Sequence, residues 1–206
     1  DKRTPATPSK PTVSTVFTDV THKAWYEAAV QYVYNNGIMK GTDTNTFAPN
    51  GNVTRAQVIE TLYNMTGRTT DYDAINPAEM IRDYDESKWW AEALKWALSV
   101  GVATGDAETK LFNATNNVSR QELAAFLYRY ETLCLGNDGT VDEASKELIK
   151  DAGVSTWAQI PFAWSVSKGI ITGAEQPDGS FQYVPKTGAN RAQLATMLMR
   201  YCQPGK

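Results

Sequence analysis

Arginine follows the cap residue at the start of three predicted helices, in the strings VTRAQ at 53–57, VSRQE at 118–122 and ANRAQ at 189–193. A cation in the first turn is disfavoured by up to about 1 kcal/mol, because partial positive charge collects there. Free backbone amides and a guanidinium nevertheless form an anion site that suits a planar carboxylate. The pattern predicts that the arginines bind an acidic group of a ligand; they are Arg55, Arg120 and Arg191. The alternative is a structural ion pair with one of the aspartates Asp19, Asp83 and Asp151.

Tryptophan and glycine recur in register with these arginines. A Gly-x-x-x-Gly frame begins at Gly37, Gly101 and Gly169, with a tryptophan twelve positions and an aspartate eighteen positions before it. An indole can stack on the C–H face of a sugar, or it can anchor an outer helix to the core. The second glycine can bring backbone amides close to a ligand, or it can simply allow a turn. The candidate binding residues in these columns are Trp25, Trp89, Trp157, Asp19, Asp83, Asp151, Gly41, Gly105 and Gly173.

These columns identify three copies of one unit. A segment rich in Pro, Thr and Ser at 1–16 is predicted to be a linker. The copies are expected at 17–66, 81–134 and 149–202, and the connectors between them at 67–80 and 135–148. The second connector is predicted to hold a short helix at 142–148.

Each copy is predicted to contain a first helix, a long loop and a second helix. The first helix runs from the tryptophan to the first glycine of the frame, which ends it in a left-handed conformation. Pro161 is expected to kink the first helix of the third copy, because proline lacks a backbone donor. The cap candidates ahead of the first helices are Asp19, Thr21, Asp85, Ser87, Asp151 and Ser155.

The second helix has explicit start signals in the form of capping boxes. Apolar residues three, seven and ten positions after each arginine form one stripe at the helical period, and three such stripes can be buried against one another. An all-α fold is predicted, with three helix-loop-helix repeats in a pseudo-threefold arrangement around a central three-helix bundle and the first helices outside. The capping pairs are Thr54 with Gln57, Ser119 with Glu122 and, in weaker form, Asn190 with Gln193.

Composition argues against several functions. The net charge of −3 over 206 residues provides no basic surface for nucleic acid. No apolar run approaches the roughly 18 residues of a membrane span, and no signal peptide is recognisable, so a soluble fragment or mature product is expected. One histidine and two cysteines are too few for structural zinc, so neither a metal nor another cofactor is expected. A disulfide between Cys134 and Cys202 and two free thiols are both compatible with the sequence.

The frame Asp19…Trp25…Gly37-x-x-x-Gly41…Phe47-x-Pro49…VTRAQ, repeated three times, resembles the S-layer homology domain over nearly the whole chain after residue 16. The resemblance implies a three-pronged, pseudo-trimeric and noncatalytic module, formed by one chain, at the surface of Gram-positive-type bacteria. It implies a secreted protein that binds secondary cell wall polysaccharide, an acidic glycan linked to peptidoglycan, often through pyruvylated N-acetylmannosamine. The motif arginines, tryptophans and loop glycines would line grooves between neighbouring copies.

Departures from the family pattern predict unequal grooves. Gln57 and Gln193 stand where glutamate is usual. Gln121 replaces alanine, and Asn190 replaces the cap threonine. The third copy also gains residues around Pro177-Asp178-Gly179. Its groove is therefore expected to be altered or silent.

Two other functions are compatible with the pattern. One is a glycosidase that uses a carboxylate pair beside a tryptophan, although a single acidic column per copy argues against it. The other is a scaffold whose grooves bind proteins. If the anchoring function is right, Arg55→Ala or Arg120→Ala is expected to weaken polysaccharide binding by about 1–3 kcal/mol, with little change in melting temperature.

Overall fold

The computed structural model describes residues 10–175, 179 and 181–203, and this part of the chain is mostly helical. The all-α prediction is therefore confirmed. Residues 1–9 of the predicted linker, with Pro177 and Asp178 of the third copy's insertion, lie outside the described residues. None of the described helices is long and apolar enough to span a membrane. The helices are α1 Val13–Val16, α2 Glu27–Asn35, α3 Arg55–Met65, α4 Pro77–Met80, α5 Ala91–Ser99, α6 Arg120–Arg129, α7 Glu143–Leu148, α8 Gln159–Ser167 and α9 Arg191–Cys202.

Two short strands interrupt the third copy. β1 (Ala174–Glu175) pairs antiparallel with β2 (Phe181–Gln182). A π-helical turn at Tyr130–Cys134 extends α6, and a 3-10 turn at Thr156–Ala158 precedes α8. The loop that carries this hairpin is the longer one that the sequence indicates for the third copy.

The second helices α3, α6 and α9 begin at the three arginines, and each carries a complete capping box. In α9 the Asn190 side chain accepts from the Gln193 amide at 2.9 Å, and the Gln193 side chain accepts from the Asn190 amide at 3.1 Å. The corresponding bonds to the Thr54 and Ser119 hydroxyls are longer, at 3.3 Å and 3.4 Å. The reciprocal bonds from the cap amides of Thr54 and Ser119 are shorter than that of Asn190, at 3.0 Å and 2.7 Å, so the geometry does not rank the three boxes.

Replacing Asn190 by alanine is expected to lower the free energy of unfolding by about 1 kcal/mol, because the Gln193 amide loses its acceptor at the helix start. Urea unfolding followed by circular dichroism measures this change. The matched control is Asn190→Ser, which supplies a hydroxyl acceptor and should recover most of the loss. Equal losses in both variants would show that the cap bond is not the source of the stability.

Three backbone hydrogen bonds form a closed ring where the copies meet. The Val53 amide donates to the Ala189 carbonyl at 3.0 Å, the Ala189 amide to the Val118 carbonyl at 2.9 Å, and the Val118 amide to the Val53 carbonyl at 2.9 Å. Each of these buried residues lies two positions before a second helix. The ring therefore fixes the starts of α3, α6 and α9 around a pseudo-threefold axis.

Each second helix packs on the first helix of the next copy. α3 contacts α5, α6 contacts α8, and α9 contacts α2. The Tyr63 ring of α3 stacks on the Trp96 ring of α5 with centroids 5.2 Å apart. The second helices also meet directly, since α3 contacts α6 and the rings of Tyr130 and Tyr201 lie 6.2 Å apart. The predicted stripes form the core, and the copies are interlocked in a ring.

The first helices begin two positions after the tryptophans rather than at them. Their cap residues Tyr26, Trp90 and Ala158 make no side-chain cap bond, so the predicted cap candidates ahead of these helices are wrong. Pro161 is the third residue of α8, where a backbone N–H would have no partner within the helix. It therefore removes no helical bond. The predicted left-handed glycines are confirmed, with φ of 68° at Gly37, 77° at Gly101 and 66° at Gly169.

Part of the predicted linker belongs to the folded unit. Val13 is fully buried in α1, and its amide donates to the Gln31 side chain at 2.8 Å. The Lys10 ammonium donates to the Asn35 carbonyl at the end of α2 at 2.6 Å. The boundary at residue 16 is therefore too late, because valines in a segment of Pro, Thr and Ser are sufficient to pack one helical turn onto α2.

The connectors are partly helical. α4 lies in the first, and α7 confirms the short helix that the sequence predicts in the second. Asp142 caps α7 by accepting from the Ser145 amide at 2.7 Å. The Cys134 and Cys202 thiols, which end the second and third copies, are both free in the structure.

Candidate functional site

Each motif arginine reaches from its own copy to the loop of the next. The Arg191 Nε donates to the Phe47 carbonyl at 2.7 Å, and its Nη2 donates to the Lys40 carbonyl at 2.7 Å. Arg120 repeats the arrangement in the next pair of copies, with bonds of 3.1 Å to the carbonyls of Tyr183 and Thr172. The arginines therefore connect copy three to copy one and copy two to copy three.

Arg55 connects copy one to copy two in a modified form. Its Nε donates to the Phe112 carbonyl at 2.8 Å, and its Nη1 approaches a Glu122 carboxylate oxygen at 3.4 Å. The guanidinium lies over the Phe112 ring, 4.7 Å from the centroid, as Arg191 lies over Phe47 at 4.6 Å. Contacts of this kind add a cation–π attraction to the two hydrogen bonds.

The guanidinium groups are more deeply buried than an open anion site requires. Arg120 is 9% exposed and Arg191 is 6% exposed. Burial lowers the pKa of Arg191 to about 10, against a raising effect of Asp19, and burial also lowers the pKa of Arg120 and of Arg55. For Arg120 and Arg191 the partners are neutral carbonyls. Each of these two guanidinium groups keeps its positive charge and has N–H donors that these bonds do not use.

Free amides at the helix starts, which the sequence-based anion site requires, are not found. The Arg55 amide donates to the Asn116 carbonyl at 3.0 Å, and the Ala56 amide donates to the Ala114 carbonyl at 2.8 Å. The third amide is taken by the capping box, and α6 and α9 repeat the pattern. This part of the prediction is wrong, because the loop of the next copy supplies the acceptors.

The aspartates hold loop amides instead of pairing with the arginines. Asp19 accepts from the amides of Phe47 and Ala48 at 2.9 Å and 2.7 Å. Asp83 makes the same two bonds in the second copy, at 2.8 Å each, to the amides of Phe112 and Asn113. Each aspartate and arginine are thus joined through one peptide group, so the proposed direct ion pairs are wrong for these two positions.

Asp151 differs from the other two aspartates. Among the described residues it makes no hydrogen bond to the amides of Tyr183 and Val184, which correspond to those that Asp19 and Asp83 hold. It borders a separate cavity beside Phe181 and Tyr183. The third copy therefore fixes its loop by other means, which include the hairpin of β1 and β2.

Three grooves lie between the copies, and each takes one motif residue from every copy. The Arg55 groove contains Arg55, Gly105 and Trp157, with a volume of about 420 Å³. The Arg191 groove contains Arg191, Gly41 and Trp89, with a volume of about 460 Å³. The Arg120 groove contains Arg120, Gly173 and Trp25, with a volume of about 710 Å³. The candidate arginines, glycines and tryptophans are thus brought together, whereas the aspartates lie outside these linings.

The groove tryptophans leave much of their surface open. Trp25 is 66% exposed, Trp89 57% and Trp157 55%. Other tryptophans fill the core, since Trp96 and Trp164 are at most 1% exposed. The groove indoles therefore do not serve mainly as core anchors, and more than half of each residue's surface is accessible from solvent.

The loop glycines are explained by close packing. A side chain at Gly41 would meet the Thr46 carbonyl at 2.7 Å, and one at Gly105 would meet Ile81 at 2.5 Å. At Gly173 the nearest atom is the Phe181 Cβ at 3.0 Å. The glycines thus allow each loop to pack closely against residues of its own copy.

Sequence reasoning did not identify the far wall of each groove. The second helix of the next copy presents the positions two, five and nine residues after its own arginine. The charges at these positions differ from one groove to the next. Their helical spacing is the sequence signal that would have revealed them. They are Glu122, Ala125 and Arg129 in the Arg55 groove, Gln57, Glu60 and Asn64 in the Arg191 groove, and Gln193, Thr196 and Arg200 in the Arg120 groove.

Comparison with known families gives a match in two of the three copies. The sequence model of the S-layer homology domain matches residues 16–59 and 81–124. Each matched segment includes a groove tryptophan, a groove glycine and the start of a second helix. The match does not extend to residues 149–202, which fold with the same helix order.

The relatives are larger surface proteins and polysaccharide-degrading enzymes by name. The chain is 28% identical over 186 residues to an endoglucanase of Bacillus sp. (strain KSM-635), covering 88% of the chain and 18% of the enzyme. It is 27% identical over 172 residues to cell surface glycoprotein 1 of Acetivibrio thermocellus, with coverages of 81% and 7%. It is 25% identical over 169 residues to a cellulosome-anchoring protein of the same species, with coverages of 81% and 36%. The chain thus spans well under two thirds of each relative's length.

Proposed function

Because the chain belongs to the S-layer homology family through residues 16–59 and 81–124, we propose that it is a noncatalytic module that anchors its parent protein to a bacterial cell surface. The ligand is an acidic secondary cell wall polysaccharide, bound in the grooves between copies. The names of the relatives, among them a cell surface glycoprotein and a cellulosome-anchoring protein, support a secreted, wall-attached parent.

The observation that carries the proposal is the composition of the grooves. Every groove combines a cationic arginine from one copy, a close-packed glycine loop from the next and an exposed tryptophan from the third. A guanidinium suits a carboxylate, and an open indole suits the C–H face of a pyranose ring. An acidic saccharide is a ligand that uses both features in one groove.

Pyruvylated N-acetylmannosamine is the acidic sugar we propose. Its ketal carboxylate supplies the negative charge, and its ring supplies the face that stacks on tryptophan. Arg120 and Arg191 donate their hydrogen bonds to neutral carbonyls, so their positive charge is available to a ligand carboxylate. In a partly buried groove this attraction is stronger than at a fully solvated surface.

A catalytic role for the repeated aspartates is disfavoured by their bonding. Asp19 and Asp83 each accept two loop amides and lie outside the groove linings. A retaining or inverting glycosidase needs two carboxyl groups facing one bond of the sugar, with separated pKa values. The enzyme names among the relatives belong to proteins of which this chain covers a small part.

Removing the pyruvate ketal from purified wall polysaccharide is expected to weaken binding of the chain by about tenfold or more, because a charge-assisted contact is lost. Isothermal titration with polysaccharide before and after mild acid treatment measures this change. An equally acid-treated polysaccharide that never carried pyruvate serves as the control.

Three results would contradict the proposal. Unchanged affinity after the pyruvate is removed would exclude a site that recognises the carboxylate. Capture of a protein partner that persists when all wall polysaccharide is absent, without any saccharide binding, would favour the interaction scaffold. Release of reducing sugar by the purified chain, abolished in Asp19→Asn or Asp83→Asn, would favour the glycosidase.

A further inference from the structure

The Arg120 groove differs from the other two in its charge. Its described lining holds two guanidinium groups, Arg120 and Arg200, and no carboxylate. Arg200 lies nine positions after Arg191, on the wall supplied by α9. The two positive charges therefore face one space without a counter-charge among the described groove residues.

The position of Arg200 leaves it available to a ligand. Its Nη1 donates to the Ile170 carbonyl oxygen at 3.4 Å and to the Thr172 hydroxyl oxygen at 3.2 Å, and among the described residues its Nε and Nη2 have no acceptor. Burial lowers the pKa of Arg200, and the charge of Arg200 in turn lowers the pKa of Arg120 after the larger effect of burial. This mutual repulsion would be relieved by an anion between the two groups.

The other grooves neutralise part of their own charge. In the Arg55 groove, Glu122 lies 3.4 Å from Arg55, Asp106 adds another carboxylate, and Arg129 is the second cation. In the Arg191 groove the ninth position is Asn64. The lining holds Lys40 as a second cation and one carboxylate, Glu60, which also contacts Arg68 at 2.6 Å. An acidic ligand meets a competing carboxylate in both places.

We propose that the Arg120 groove is the primary site for the acidic saccharide and that Arg200 is its second carboxylate-binding residue. The inference rests on the proposed function and adds to it a ranking of the three grooves. Two guanidinium groups can bind both oxygens of one carboxylate from different sides, while Trp25 supplies the stacking face. The volume of about 710 Å³, against about 420 Å³ and 460 Å³, provides room for the sugar.

This ranking differs from the expectation that the third copy's groove is altered or silent. The longer loop of the third copy contributes Thr172 and Gly173 to the Arg120 groove. The loop change and the pair of arginines thus occur at the same site. The altered groove is the one that we expect to bind most tightly.

Each groove has its own spectroscopic reporter, because Trp25, Trp89 and Trp157 lie in different grooves. We would titrate the full chain with pyruvylated N-acetylmannosamine and follow the indole N–H signals by NMR. Single Trp→Phe variants at these positions assign the signals. The Trp25 signal is expected to respond at the lowest sugar concentration, with the other two following at concentrations at least about tenfold higher.

Arg200→Gln tests the proposed residue directly. It is expected to weaken the response of Trp25 by at least about tenfold, because one charged donor is lost. The responses of Trp89 and Trp157 should stay unchanged. Lys150→Gln, which removes one positive charge from an exposed pair with Glu147 outside the grooves, is the matched control.

Glu122→Gln tests, independently of Arg200, whether a carboxylate in a groove weakens binding of the acidic saccharide. The other two copies carry glutamine in the same capping box, so the variant retains the cap. Removing this carboxylate from the Arg55 groove is expected to tighten the Trp157 response by about tenfold. This second variant keeps the inference testable if Arg200→Gln does not fold, as checked by circular dichroism.

The outcomes separate the inference from the proposed function. If Trp89 or Trp157 responds before Trp25, or if Arg200→Gln behaves like Lys150→Gln, the ranking is wrong while saccharide binding stands. An unchanged Trp157 response in Glu122→Gln would show that a carboxylate in the groove does not weaken saccharide binding, which contradicts the charge argument for the ranking. If no indole responds, or if the sugar without its ketal acts equally well, the proposed function itself fails.

Discussion

Replacing Arg191 by alanine is expected to lower the free energy of unfolding by about 2–4 kcal/mol. The variant removes two charge-assisted bonds of 2.7 Å to the carbonyls of Phe47 and Lys40. It also removes the guanidinium from the Phe47 ring, where its centre lies 4.6 Å from the centroid. Because Phe47 is fully buried, water cannot easily reach its carbonyl to replace the lost hydrogen bond.

Guanidinium chloride unfolding of Arg191→Ala and of an exposed control measures this effect. Arg82 is exposed, so Arg82→Ala should change stability by no more than about 0.5 kcal/mol. A loss in Arg191→Ala no larger than in this control would mean that the bonds between copies contribute little to the fold.

This stability effect changes how arginine variants must be interpreted. The sequence led us to expect that Arg55→Ala and Arg120→Ala would weaken binding with little change in melting temperature. Both side chains donate to carbonyls of the next copy, so both variants are now expected to lower stability as well. Loss of binding in them would not by itself identify a ligand contact.

Truncation of the chain after residue 134 is expected to abolish cooperative folding. The cut removes α8, which covers α6, and α9, which covers α2. It also removes Ala189, the third member of the ring formed with Val53 and Val118. The free energy lost with these contacts is expected to be comparable with the whole net stability of a domain, about 5–15 kcal/mol.

Circular dichroism and thermal melting of the truncated and the full chain test this prediction. The truncated chain should show low helicity and no cooperative transition, and the full chain should show a single transition. A truncated chain that melts cooperatively with the helix content of two copies would show that the copies fold independently. The ring of contacts would then be an association of separate domains.

Features that depend on local sequence were predictable. The capping boxes follow from a hydroxyl or amide side chain three residues before Gln or Glu, as at Thr54 and Asn190. The ends of the first helices follow from glycine, as at Gly37. The grouping of arginine, tryptophan and glycine followed from the family resemblance rather than from spacing alone.

Features that depend on which copies meet were not predictable from one sequence. A side chain such as Arg191 has its partners in the loop of the first copy, far away in the chain, and spacing gives no information on that pairing. The same is true of Asp19, whose loop partners are Phe47 and Ala48. The wall residue Arg200 was missed because its column holds arginine in only two copies, with Asn64 in the first and Arg129 in the second.

A crystal structure of the chain with pyruvylated N-acetylmannosamine would test the central claim most directly. We predict the sugar in the Arg120 groove, with its carboxylate within about 3 Å of the Arg120 and Arg200 guanidinium groups and its ring against Trp25. A sugar bound outside all three grooves, or one whose carboxylate points into solvent away from every arginine, would contradict the account.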